Sequence, residues 1–167
     1  MRRLILLSLA IVAAGCGSTK STAPTATAVT TVPSPATALP GSRVLYRGGA
    51  WAVVLHGAQA VAVQLVDGRW RPDRSGRVKI EILGPGPGST APKRPQVAAQ
   101  LTAPADLVES GLWLDGEELQ VKGGGSPTLA TIYGAPPGPL AAGNHTAVAY
   151  GRTPATGTAR AWTFRTP

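Results

Sequence analysis

An all-β fold, an antiparallel sandwich, is what these 167 residues lead one to expect, on three grounds. Glycine and proline together account for 37 residues, about twice their usual share, and they are the two least favourable residues inside a helix. The apolar residues fall in short runs, strictly alternating or continuous, each bounded by turn residues. Two Asp-Gly dipeptides, Asp67-Gly68 and Asp115-Gly116, are strong hairpin signals, because both central residues of a type I′ turn need positive φ.

The N-terminus stands outside that pattern. Arg2-Arg3 precede an apolar run from Leu4 to Ala14, followed by Gly15-Cys16. A basic start, a short apolar run and a small-residue end make an export signal. As a helix the run would be about 16 Å long, half a bilayer core, too short to span. Val12-Ala13-Ala14-Gly15-Cys16 resembles the lipobox of bacterial lipoproteins, with Ala13 where Leu is the commoner family choice. The resemblance implies a signal peptide over 1–15, cleavage before Cys16 and fatty acyl chains, palmitate among them, on the Cys16 sulfur. Cys16 is the only cysteine, so an internal disulfide is excluded, and acylation would remove a thiol that an oxidising compartment attacks. Two or more chains anchor durably, at about 0.8 kcal/mol per buried CH₂. The expected partner is therefore a membrane, the cell membrane or an outer membrane, with the remaining chain on its extracytoplasmic side. The arginine pair suits the general and the twin-arginine export routes alike. Gly17 stands where the inner-membrane retention signal of diderm bacteria would place Asp.

Residues 16–42 continue as the lipidated Cys16 and a tether. In 17–42 eleven of 26 residues are Ser or Thr, four are Pro, and Lys20 is the one charge. Such a composition buries too little surface to offset its ordering entropy, so a disordered, partly polyproline-like linker is expected. Its mean reach as a flexible coil would be about 25–30 Å.

From Arg43 the texture changes. Residues 43–83 read as N-terminal β-hairpins packed on the sandwich, with strands at 44–46, 51–55, 60–66, 69–71 and 77–83. In the last of these Val78, Ile80 and Ile82 share one face and Arg77, Lys79 and Glu81 the other, the mark of a half-buried strand. Four prolines exclude regular structure from 84–95. Further strands are expected at 96–101, 111–114, 118–122, 129–133, 145–150 and 158–165. One helical turn is expected at 104–109, capped by Asp106 with Glu109 three residues on, and Gly123–Gly125 reads as a flexible loop between strands. Strands at this spacing indicate a sandwich or barrel.

Within 84–167 a further likeness emerges. Pro85-Gly-Pro-Gly-Ser89, Arg94 to Leu101, Trp113-Leu-Asp-Gly116, Ile132-Tyr133, Pro139 to Tyr150 and Ala161-Trp-Thr-Phe164 resemble the immunoglobulin-like modules of bacterial surface and envelope proteins. The resemblance covers about 75 residues and implies an immunoglobulin-like β-sandwich; the acidic turn that such modules sometimes use for calcium is replaced by Gly151 to Gly157. Trp162 and Phe164 share a face, and Trp113 is expected to pack with them as a cross-sheet aromatic cluster.

The chemically versatile residues are few. His56 and His145 lie 89 positions apart and no cysteine follows Cys16, a poor supply for a zinc or copper site; a copper carrier is accordingly the least favoured reading, no cofactor is expected, and His145 reads as a satisfied turn histidine. Neither Ser110-Gly111 nor Ser126-Pro127 forms a G-x-S-x-G elbow, and no P-loop Lys follows the glycine run. An enzyme is not expected. The net charge is +8, or +6 after loss of Arg2 and Arg3, and Arg69, Arg71, Arg74, Arg77 and Lys79 lie within eleven residues, with Lys93-Arg94 following in sequence. Trp70 between Arg69 and Arg71 would stack on sugars. The expected role is thus a non-catalytic, lipid-anchored envelope protein binding an anionic envelope polymer or an envelope protein through Arg69, Trp70, Arg71, Arg74 and Lys79. The alternative is an accessory domain for a cell-wall-modifying enzyme acting in trans. Export removes nucleic acid as a partner.

Overall fold

In the computed structural model, which describes residues 31–167, twelve strands form three four-stranded sheets. In the first sheet β1 (Arg43–Gly48), β2 (Trp51–His56), β3 (Gln59–Val66) and β4 (Arg69–Pro72) form a simple meander. The second holds β5 (Lys79–Gly84), β6 (Val97–Thr102), β10 (Leu129–Gly134) and β9 (Lys122–Ser126), in that spatial order. The third holds β12 (Gly157–Thr166), β11 (Gly143–Arg152), β7 (Glu109–Leu114) and β8 (Glu117–Glu118). All ladder pairs are antiparallel. The order of the second and third sheets is that of an immunoglobulin-like sandwich, an ABED sheet facing a GFC sheet with one added strand.

The third sheet is the middle layer. Side chains alternate across a strand, and here both faces are covered. Leu112, Leu114, Ala147, Ala149, Trp162 and Phe164 meet Ile80, Val97, Leu101 and Ile132 of the second sheet. Trp113, Val148 and Tyr150 point the other way and meet Trp51, Val53 and Ala62 of the first sheet. The expected cluster of Trp113 with Trp162 and Phe164 is therefore not formed. In register, Trp113 sits opposite Val148, and Val148 opposite Ala161, whereas Trp162 sits opposite Ala147, so the aromatics occupy opposite faces of one sheet. The first sheet lies across that face and does not extend an edge.

β5 belongs to the sandwich. The sequence grouped it with the hairpins of 43–83, but Ile80 pairs with Leu101 and Ile82 with Ala99. Beyond it, residues 88–91 run alongside β12, where Gly88 N–H donates to Thr163 O at 2.7 Å and Ala91 N–H to Arg165 O at 2.8 Å. Segment 31–42, read from composition as tether, also differs from expectation. Ser34 caps a 3₁₀ turn at Pro35–Ala38, and Ala38 and Leu39 cover Ala52, Val54, Val63 and Trp70 on the outer face of the first sheet. Small apolar residues suffice there because the sheet supplies the surface they bury. The expected signal peptide, Cys16 and the expected tether up to Thr30 lie outside the described residues.

Two local expectations also change. The helical turn at 104–109 does not form, because Leu107 N–H donates to Pro127 O at 2.7 Å and Val108 N–H to Arg152 O at 2.9 Å, which leads the chain straight into β7. The glycine run is strand β9. A Cβ at Gly123 would come within 2.3 Å of Thr131 O and one at Gly125 within 2.0 Å of Leu129 O. Glycine is thus what lets this strand close on β10.

Candidate functional site

The segment joining β4 to β5 is fixed by one carboxylate. Asp73 Oδ1 accepts from Ser75 N–H at 2.8 Å, a local turn that the Asp-x-Ser sequence favours. Its Oδ2 accepts from Thr156 Oγ1 and from Gly157 N–H, both at 2.8 Å. Burial opposes the charge on Asp73, but the hydrogen bonds from Gly157, Ser75 and Thr156 outweigh it and hold the carboxyl below its ordinary range. Both oxygens are thereby engaged within the protein.

Around Asp73 the cations remain unpaired. Arg69, Arg71, Arg74, Arg77 and Lys79 are all exposed, and among the described residues the only ion pairs are His145–Asp115 and Arg152–Glu109. Lys93 and Arg94 do not join them. Lys79 pairs with Thr102 at one end of β6, whereas Arg94 precedes β6 at its other end, where Lys93 O accepts from Leu140 N–H. Trp70 is not a stacking platform either. Its ring is 5% exposed and faces Val54 and Val63, since its partner in the ladder is Leu65. The indole N–H donates to Pro33 O at 2.7 Å, and the Arg47 guanidinium lies 5.6 Å from the ring centre. Trp51, equally buried, packs between the sheets.

Beside Asp73 opens a cleft of about 380 Å³. It is lined by Ala60, Ala62, Ala159, Leu39 and Pro72, together with Arg74, His56 and Gln59. The strands explain this lining: Ala60 and Ala62 share one face of β3, and Thr158 and Ala159, near the start of β12, line the cleft with them. Nothing in the sequence marked this cleft, because its walls come from segments about a hundred residues apart.

The partners in two polar networks were not legible in the sequence, although His145 itself was read as a satisfied turn histidine. Between the first and third sheets, Tyr46 O–H donates to Glu109 Oε1, and Arg152 Nε donates to Glu109 Oε2 at 2.6 Å. Burial, then Glu109, pushes the Tyr46 hydroxyl up to about 12. Tyr150, fully buried nearby, has a hydroxyl with no hydrogen-bond partner, and burial raises its pKa further. At the opposite end, His145 Nδ1 lies 2.7 Å from Asp115 Oδ2 and Nε2 lies 2.9 Å from Ala141 O, so this histidine is satisfied within the corner.

No family model matches the sequence, and no curated protein matches it. Solved structures similar to it include PcoC, a copper resistance protein from Escherichia coli, at 20% identity and a TM-score of 0.32, covering 52% of this chain and 99% of PcoC. An Ig tandem of titin is similar at 5% identity and a TM-score of 0.37, covering 77% of this chain and 83% of the tandem. Neither likeness is close enough to bear on what this chain binds.

Proposed function

We propose that this chain is a non-catalytic binding module, held at a membrane by lipid on Cys16, that engages an anionic envelope polymer through the cations of 69–79. One observation carries the reading: five exposed Lys and Arg side chains within eleven residues have no acidic partner, because Asp73, the sole carboxylate of that stretch, is bound internally. A cation left unpaired in a folded surface keeps its field for an outside partner. The lipid anchor rests on the pattern Val12 to Cys16 and sets the compartment in which such polymers are met.

The test is retention of the full-length protein on purified cell-wall sacculi. At about 50 mM salt retention is expected, and it should fade as screening grows toward 500 mM. Arg69→Ala with Arg71→Ala should weaken it roughly 10- to 30-fold, since each cation near an anionic surface contributes about 1 kcal/mol. Lys93→Ala with Arg94→Ala should change it little. Equal loss from both pairs, or no retention at low salt, would remove the reading.

A further inference from the structure

We propose that the cleft beside Asp73 is a second site, sharing Arg74 with the cationic stretch, which takes a carboxylate carried on a small aliphatic group, such as the C-terminal end of a peptide finishing in alanine. Three features of the cleft define the ligand. Ala60, Ala62 and Ala159 are among its lining residues, and small apolar residues there suit a small aliphatic group. Its volume of about 380 Å³ lies at the small end of ligand pockets, the range for a dipeptide-sized molecule. Among the described residues, the one Lys or Arg that lines it is Arg74, exposed and in no ion pair.

Charge complementarity then fixes the polar end. The only carboxylate in the wall is Asp73, and its oxygens already accept from Ser75, Thr156 and Gly157. It stays charged, but its oxygens are taken up by these donors and leave Arg74 free, and the same bonds hold the backbone that presents Arg74 next to it. A guanidinium fork meets a carboxylate with two parallel N–H···O bonds. Gln59 and His56, which also line the cleft, supply further polar groups. The walls come from β3 and β12, held by ladders and by the packed interface behind them, so the ligand meets a site formed in advance, which lowers the ordering cost of binding.

Arg74 belongs to both readings, but the two are told apart by residues that belong to one: Ala60→Leu should abolish the cleft site and leave retention on sacculi unchanged, whereas Arg69→Ala with Arg71→Ala should weaken retention and leave the cleft site intact. N-acetyl-alanyl-alanine is titrated into the full-length ¹⁵N-labelled protein, with its C-terminal amide and inorganic phosphate as parallel probes. Saturable amide shifts are expected at Ala60, Ala62, Gly76 and Ala159 with the free acid, and about tenfold weaker binding with the amide. Arg74→Gln should weaken the acid by a similar factor without changing the melting temperature, and Ala60→Leu, at a partly exposed lining position, should abolish it. Absence of saturable shifts, equal binding of acid and amide, or equal binding of phosphate would overturn the site, while retention on sacculi tests the other reading independently.

Discussion

At the scale of single residues, the corner formed by Asp115 and His145 makes the sharpest statement. The His145 ring meets the Asp115 carboxylate at Nδ1, and the Ala141 carbonyl and the Thr166 hydroxyl at Nε2. An imidazolium donates on both sides, and the carboxylate and the carbonyl favour that charged form. Burial opposes that charge, but the bonds to Asp115 and Ala141 prevail, and the His145 pKa is raised. A raised pKa means that the folded state holds its proton more tightly than the unfolded one. The resulting stability is fully present below the ordinary histidine value of about 6.5 and is lost as pH rises through the higher folded value. The melting temperature of the wild type should therefore fall between pH 6 and pH 9 relative to that of His145→Gln. A parallel course of the two curves would show that the ring carries no extra proton. Asp73 works in the opposite direction: its lowered pKa gives stability that is present above the ordinary carboxyl range and is lost only as pH falls through the folded value.

At the scale of elements, the sequence disclosed what depends on neighbours in the chain and hid what depends on neighbours in space. β5 was legible because Ile80 and Ile82 face the core while Lys79 and Glu81 face water, a period of two that only a half-buried strand needs. Both Asp-Gly turns were legible too, and Asp67 and Asp115 indeed adopt positive φ, 51° and 53°. β2 and β11 carry no such alternation, because each is buried on both faces, and a continuous apolar run does not say which aromatic faces which sheet. The cations of 69–79 could be read directly. The engagement of Asp73, set by Thr156 some eighty positions away, could not, nor could the cleft. β9 was hidden for another reason, since three glycines carry a strand only where the adjoining backbone comes close enough to exclude a side chain. Gly123→Val or Gly125→Val should thus detach β9 and expose the edge of β10, seen as faster amide exchange at Thr131 and Tyr133. Gly124, with open space around its Cα, should accept alanine with no more than about 1 kcal/mol of change.

At the scale of the whole molecule, the third sheet decides how the parts depend on one another. An ordinary two-sheet sandwich turns its outer faces to water, but here Trp113, Val148 and Tyr150 lie on an outer face and are at most 2% exposed. The first sheet is what keeps them dry, through Trp51, Val53 and Ala62, and the Tyr46–Glu109–Arg152 bonds tie its edge to β7 and β11. Meander and sandwich therefore share one core and should unfold together. Trp51→Ala removes the largest side chain the meander contributes and should cost about 3–5 kcal/mol, lowering the melting temperature by roughly 10 °C or more. The calorimetric trace should nonetheless remain a single transition, because the face exposed by loss of the meander cannot stay in water by itself. A variant that melts in two steps, with the sandwich surviving the first, would show instead that the meander is an independent unit. The cleft between β3 and β12 would then be a joint between two bodies and would lose the rigidity on which its ligand selectivity depends.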